Sequence, residues 1–324
     1  MGDQGVGELL YRRLLHLAVH PIAHVESAAY QAGLVGPHTQ MTESPTIPDE
    51  IERYLRTGES DPIYAAWPGN FMERANRTHE DLRGALVREV GRRAEGLTHA
   101  PLPEADTVSL TRTKVGPMVR GLFPRSEQDV VLAAIEKSVV FVTSANIEAL
   151  LFKRDFDHSA WTLANLYLAS LGKELLGEDA PHLVGLSEET TCFVSPGYFA
   201  EADPFADFIV HETAHIFHNC KRATIGLHET RTKEWLLDIE YRKRETFAYS
   251  CEAYACVLQR GKSPTERRSL SEEYGRTARI SEERADVAEV ASIVREAAAV
   301  RNGWKVILAR CAPRRRAAVR SWRA

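Results

Sequence analysis

The chain has 324 residues, 44% of them hydrophobic, which is enough to build one large domain or two smaller ones around a buried core. Its 41 lysine and arginine residues nearly balance 45 aspartate and glutamate residues, and the formal net charge of -4 provides no general attraction for nucleic acid or for an anionic membrane. No window approaches the roughly 18 apolar residues of a transmembrane helix, so we expect a cytoplasmic protein that does not span a membrane.

The N-terminal region, residues 1–125, is predicted to be mostly helical. Helical hydrophobic periodicity occurs in three segments of it: 6–33, 50–58 and 78–94. The stretch from Thr98 to Pro124 contains four prolines, which are typical of loops, so it is predicted to be a connection. A domain boundary is predicted near residue 125.

The central segment, residues 126–265, alternates predicted helices with short β-branched runs. Helices are predicted for SEQDVVLAAIEK (126–137, capped by its serine), ANIEALLFKR (145–154) and DHSAWTLANLYLASLGKELLG (157–177). Strands are predicted for SVVFVTS (138–144), HLVGLS (182–187) and TTCFVSP (190–196). A second long helix is predicted from about Lys233 to Arg260, followed by stop signals at Gly261 and Pro264. The expected fold class is therefore α+β and mostly helical, with a small sheet.

The C-terminal segment, residues 266–324, is predicted to be helical and to end in a basic tail. Alanine and charged helix formers dominate 265–300, and the last sixteen residues carry six arginines and no acid. Such a tail is more often a surface-packed chain end than a nucleic-acid site, so no nucleic-acid partner is expected.

Five cysteines are scattered along the chain without a CxxC pair. An odd number at these spacings predicts neither a disulfide framework nor a cysteine-based zinc site. We expect reduced and mostly buried thiols.

The stretch FADFIVHETAHIFHN, residues 205–219, contains the pattern HExxH. In a helix, His211 and His215 project from the same face, so their imidazoles can converge on one metal ion. Glu212 is turned away from that line and can reach a water that the metal activates. The alternative is a buried helix that is rich in histidine by chance. Burying these groups together without a partner would cost several kcal/mol, and a zinc ion removes most of that cost.

A catalytic zinc usually has three protein ligands, so a third is expected on a nearby element. The predicted second helix offers two carboxylates, Glu245 and Glu252, which are seven residues apart and lie near one face of that helix. By spacing alone, either of them can reach back to the ion.

The combination of HETAH with a downstream Glu-x-Phe-Ala resembles the gluzincin metallopeptidases, and ETFAYSCE is similar to the corresponding segment of aminopeptidase-N-like enzymes. The resemblance covers residues 205–256 and implies a zincin-like core, with Glu245 as the third zinc ligand and Glu252 in a supporting role. A Gly-x-Met-Glu-Asn-like exopeptidase segment is not found, so aminopeptidase activity is not implied. The family also uses a tyrosine or histidine to stabilise the oxyanion, for which four candidates are available: Tyr249, Tyr254, Tyr274 and His228.

These observations predict a zinc metallopeptidase that acts on a peptide or protein substrate, with Glu212 as the general base and His211, His215 and Glu245 as ligands. The strand TTCFVSP is predicted to be an edge that can pair with an extended peptide. Two alternatives stay open: a zinc hydrolase whose substrate is not a peptide, and a regulatory or binding protein with a structural or vestigial zinc site. The substrate and the oligomeric state are not predicted by the sequence.

Overall fold

The computed structural model describes residues 45–99, 102, 106–230, 233–280 and 285–313, which are called the described residues below. The helix predicted over 6–33 and most of the basic tail lie outside them. The described residues, all from Pro45 onward, belong to one compact unit. None of the described helices combines the length and the apolar character needed to cross a membrane.

The described residues form a mostly helical structure with a small three-stranded sheet, as the α+β prediction requires. The elements in chain order are α1 (Ile47–Thr57), α2 (Phe71–Ala94), α3 (Thr107–Leu122), α4 (Arg125–Ile135), β1 (Val139–Phe141), α5 (Ile147–Phe152), α6 (Asp157–Ser170), β2 (Gly185–Glu188), β3 (Thr191–Val194), α7 (Phe208–Asn219), α8 (Arg244–Arg260), α9 (Pro264–Thr277), α10 (Val287–Ala298) and α11 (Gly303–Cys311).

Local capping signals fix where the first helices begin. Thr46 forms a capping box with Asp49 at the start of α1. Asn70 does the same with Glu73, so α2 begins at Phe71, seven residues before the predicted start at 78. Helix α4 begins at Arg125, with Pro124 rather than the predicted serine at the capping position.

Helix α3 lies where the sequence predicted a connection, so that prediction is wrong. Asp106 caps the helix by accepting a hydrogen bond from the Val108 amide at 3.0 Å. Pro117 lies inside the helix, which costs roughly 3 kcal/mol. Burial of four large side chains on the same helix offsets this cost: Val115, Met118, Val119 and Leu122.

Helix α8 is shorter than predicted, because the chain from 233 to 243 is not an α-helix. Several backbone groups of this segment bond to other elements instead of forming α-helical bonds. The Leu237 amide donates to the Phe217 carbonyl at 2.7 Å, and the Glu240 amide donates to the Cys311 carbonyl at 2.9 Å. Leu236 and Ile239 are buried in the core, so tertiary contacts override the local helical periodicity here.

The three predicted strands are confirmed, but TTCFVSP does not have the predicted position in the sheet. Strand β3 is central, parallel to β1 and antiparallel to β2. The expectation that TTCFVSP forms a sheet edge is therefore wrong. Strands β1 and β2 lie at the two edges, and β2 pairs with β3 from Gly185 opposite Val194 to Glu188 opposite Thr191.

Helices α7 and α8 lie in the largest cluster of buried residues, together with side chains from α3, α4, β1 and β3. A second cluster joins α1, α2 and α6 on another side of the sheet strands. All five cysteines are free and buried, as predicted. The boundaries near 125 and 265 stay predictions; buried residues from either side of both, such as Val119, Val131 and Ile293, lie in the first cluster.

Candidate metal centre

Helix α7 carries the HExxH pattern and has two different faces. The apolar residues Ile209, Val210, Ile216 and Phe217 are fully buried in the core. Asp207 caps the helix and its side chain accepts from the Val210 amide at 3.3 Å. Because the apolar face is fixed by packing, the histidines on the other side of α7 are held in one orientation.

Helix α8 packs directly against α7 and supplies the acidic residues. Phe247 and Ala248 are fully buried in the core that contains the apolar face of α7. Glu245, Tyr249 and Glu252 are four and three residues apart, so they lie on one face of α8. The contact between the helices places this face next to the histidines of α7.

His211, His215 and Glu245 converge on one point. The two Nε2 atoms are 3.2 Å apart, and Oε2 of Glu245 lies 3.4 Å from His215 Nε2 and 3.8 Å from His211 Nε2. One ligand atom from each residue lies within 4.8 Å of the others. Among the described residues, this is the group of three or more histidine, cysteine and acidic side chains that has the spacing of a metal site.

These separations fit a zinc ion. Tetrahedral ligands at about 2.0–2.1 Å from zinc lie roughly 3.3–3.4 Å from one another. Burial lowers the pKa of His211, but its hydrogen bond to Glu252 and the charges of Glu252, Glu212 and Glu245 outweigh this and raise the pKa to about 9. The facing imidazole nitrogens and the Glu245 carboxylate therefore favour a positive charge between them, such as a proton or a metal ion.

Glu252 lies behind the His211 ring. Its Oε2 is 3.0 Å from His211 Nδ1, and its Oε1 accepts from the Asp207 amide at 2.7 Å. It does not belong to the convergent group of three. Asp207 in turn pairs with Lys114 of α3 at 2.8 Å, which connects the back of the site to a third helix. This arrangement orients His211 so that its Nε2 faces His215 and Glu245.

Glu212 lies against the edge strand β2. A Cβ atom at Gly185 would come within 2.5 Å of Glu212 Oε1, so the carboxylate occupies the space left by the missing side chain. The residue is buried, and burial raises the pKa of its carboxyl group, an effect that the neighbouring His215 and His211 oppose. The structure thus places Glu212 beside the three convergent side chains and not among them.

The structure separates the four candidates for oxyanion stabilisation. The Tyr249 ring meets His211 edge to face, with centroids 4.5 Å apart. Tyr254 is buried and its hydroxyl accepts from the Gly303 amide at 3.2 Å, whereas the Tyr274 ring packs against Phe205. His228 is exposed in the loop before α8.

His218 is a further residue of the site that the sequence analysis did not single out. It is buried, and its Nε2 lies 3.0 Å from His215 Nδ1. Burial, with the charges of His215 and Arg244, holds the pKa of His218 well below its ordinary value. Its position three residues after His215, on the face shared with His211, was the available signal.

Comparisons with protein-family models, with curated proteins and with solved structures find no match for this chain.

Proposed function

We propose that this protein is a zinc-dependent metallopeptidase of the gluzincin type, in which His211, His215 and Glu245 bind zinc and Glu212 is the general base. The observation that carries the proposal is the convergence of two Nε2 atoms and a carboxylate oxygen at 3.2–3.8 Å, with a second, buried carboxylate beside them. An edge strand, a histidine helix and a following helix that supplies the third ligand also correspond to a zincin-like core.

A zinc ion in this site supplies a Lewis acid that polarises the scissile carbonyl and lowers the pKa of the attacking water. Glu212 takes the proton from that water and delivers it to the leaving amine. Its burial supports this role, because a raised pKa brings a carboxyl group closer to the operating pH and lets it both accept and release a proton. A purely structural zinc site needs no such base.

A peptide substrate is favoured over other carbonyl compounds by the position of β2. The strand lies at the edge of the sheet and begins at Gly185, directly beside Glu212. An extended peptide that pairs with this edge would therefore run past the general base, and the main-chain hydrogen bonds would hold it with little dependence on side chains.

Tyr249 is the best placed candidate to stabilise the oxyanion. Its ring contacts the ligand His211, and it lies one helical turn after Glu245 on α8. A phenol hydroxyl at this position can donate to the oxygen that becomes negative when the water adds to the carbonyl.

The experiment that tests the proposal measures metal content and peptide hydrolysis together. Protein purified without chelator should contain about one zinc per chain and should cleave an unstructured peptide mixture, with activity lost to a chelator and restored by zinc. Glu212→Gln should keep the zinc and lose hydrolysis, because the amide preserves shape and removes the base. The double variant His211→Ala, His215→Ala should lose both.

Three outcomes would contradict the proposal in different ways. A chain that takes up no zinc even when zinc is supplied has no metal centre. Zinc with chelator-sensitive cleavage of esters but not of peptides indicates a different hydrolase. Zinc without any hydrolysis, unchanged by Glu212→Gln, indicates a structural site.

A further inference from the structure

The two histidines of the metal centre are held from behind by different chemical groups. Nδ1 of His211 faces the carboxylate of Glu252 at 3.0 Å. Among the described residues, no carboxylate faces Nδ1 of His215, which lies 3.0 Å from Nε2 of His218, another imidazole. The second pair is informative because an imidazole is an acceptor at Nε2 only when its hydrogen is on Nδ1.

Asn219 determines where the hydrogen of His218 lies. The side-chain oxygen Oδ1 of Asn219 is 3.0 Å from His218 Nδ1 and 3.5 Å from Nη1 of Arg244. The contact with the arginine N–H identifies this atom as the amide oxygen, which can only accept hydrogen bonds. His218 Nδ1 must therefore be the donor. Nε2 of His218 is then a bare acceptor, and the hydrogen of His215 lies on the nitrogen that faces it. The lone pair of His215 is left on Nε2, toward His211 and Glu245.

We propose that His218 is a positioning residue for the metal centre, which fixes the tautomer and the ring orientation of His215, and that Asn219 fixes His218 in turn. The inference rests on the proposed function, because it assigns His215 Nε2 to the zinc. It adds a chain of three side chains, Asn219 to His218 to His215, that has no carboxylate in it. Partners that orient a metal-binding histidine typically change metal affinity 10- to 100-fold when they are removed.

Burial favours this role over simple space filling. His218 is 3% exposed, so water cannot easily replace it as the acceptor for His215. An apolar side chain would fill the same volume without the polar atoms. His218 is also not a ligand itself in this arrangement, because its Nε2 points at the back of the His215 ring.

The test compares zinc affinities, measured by competition with a chromophoric chelator, in four variants of the full chain. His218→Leu removes the acceptor at similar volume and should weaken zinc binding about 10- to 100-fold. His218→Gln keeps an oxygen near the position of Nε2 and should stay within about threefold of the unmodified protein. Asn219→Ala frees the His218 ring and should weaken binding by an intermediate factor. His99→Leu is the matched control, since His99 bonds to Ser170 away from the centre, and it should have no effect.

The visible absorption of the cobalt-loaded protein is a second measurement, which would not depend on His218 if that residue only filled space. The visible absorption of the cobalt-loaded protein should change in shape for His218→Leu and should be preserved for His218→Gln, because the spectrum reports ligand geometry. If the unmodified chain binds neither zinc nor cobalt, the proposed function fails and this inference falls with it. If the unmodified chain binds zinc and His218→Leu has the same zinc affinity, only the positioning role is overturned. The same holds if His218→Gln loses as much zinc affinity as His218→Leu. If His218→Leu does not fold, an unchanged affinity in Asn219→Ala would overturn it.

Discussion

The position of the Glu212 carboxylate between α7 and β2 depends on the absence of a side chain at Gly185. A methyl group at Gly185 would come within 2.5 Å of Oε1 and 2.6 Å of Cγ of Glu212, so the glutamate would have to move. The same strand end is the proposed binding edge for the substrate. The absence of one side chain thus leaves room for Glu212 and, in the proposed function, for the peptide beside it.

We expect Gly185→Ala to reduce hydrolysis about 100-fold while zinc binding is retained, because a displacement of about 1 Å in a catalytic group can have this effect. The measurement is kcat/KM for a peptide together with zinc content. Loss of zinc in this variant would show that Glu212 and the ligands move together. Unchanged activity would show that Glu212 does not act from the position described.

Glu245 and Glu252 should differ in what their removal does to the metal. Glu245 has an oxygen 3.4 Å from His215 Nε2, whereas Glu252 contacts the far side of His211. We expect Glu245→Ala to abolish tight zinc binding and Glu252→Ala to weaken it about 10- to 100-fold, since the first removes a direct bond and the second an orienting one. Zinc titration of both variants measures this. A chain that binds zinc tightly without Glu245 but not without Glu252 would reverse the two roles.

Helix α3 illustrates how packing between elements overrides local signals. The four prolines between Thr98 and Pro124 predict no helix, yet α3 forms there and packs against α4 and α11. Gly121 makes the contact with α11 possible: a Cβ atom there would come within 2.0 Å of the Trp304 ring. The Asn302 side chain and the Lys305 ammonium group also donate to carbonyls at the end of α3, at 3.2 and 2.6 Å.

We expect Gly121→Ala to lower the free energy of unfolding by about 1–3 kcal/mol, because the methyl group would push the Trp304 ring and α11 outward. Gly91→Ala is the matched control in α2, where a new Cβ atom meets nothing within 4 Å. That change should raise the free energy of unfolding by about 0.5–1 kcal/mol, since alanine is the better helix former. Urea unfolding followed by circular dichroism measures both. Equal effects in the two variants would contradict the close packing of α3 on α11.

The proposed metal centre would join two helices that are separated in the sequence, because α7 ends at Asn219 and α8 begins at Arg244. In the proposed site, α7 would supply two ligands and α8 the third, so a bound zinc ion would connect the two helices and stabilise the folded state over the unfolded one. In the absence of a metal, the pKa of His211 is raised to about 9 by interactions that include the carboxylates of Glu252 and Glu245 on α8. The attraction between the protonated ring and these carboxylates partly replaces the connection through zinc.

Zinc and protons should therefore compete. A histidine whose pKa is raised on folding stabilises the metal-free protein fully below its ordinary pKa of about 6.5, and this contribution is lost as the pH rises through about 9. Zinc must displace the proton, so we expect its affinity to increase with pH over this window and about one proton to leave His211 per zinc bound at pH 7.5. Calorimetry in buffers with different ionisation enthalpies measures the proton release. An affinity that does not change between pH 6.5 and 8.5 would contradict the described environment of His211.

Features that depend on a few adjacent residues were determined by the sequence. The three strands are confirmed because each is a short β-branched or apolar run between turn residues, and the cysteines are buried and free as their spacing predicted. The four-residue spacing of His211 and His215 fixes their common face in any helix, whatever surrounds it. The roles of these residues, and of Glu212 and Glu245, stay predictions until metal and activity are measured.

Features that depend on contacts between distant segments were decided only by the tertiary structure. Helix α3 forms in spite of Pro117, and the segment 233–243 is not an α-helix, because burial and long-range backbone bonds outweigh local propensity there. Glu245 and Glu252 are equivalent by helical spacing, and the way in which α8 packs on α7 places one among the imidazole nitrogens and the other behind a ring. Likewise β3 has the pattern of a strand, but a strand pattern does not determine which strands will be its neighbours. The tertiary structure places β3 in the centre of the sheet and β1 and β2 at its two edges.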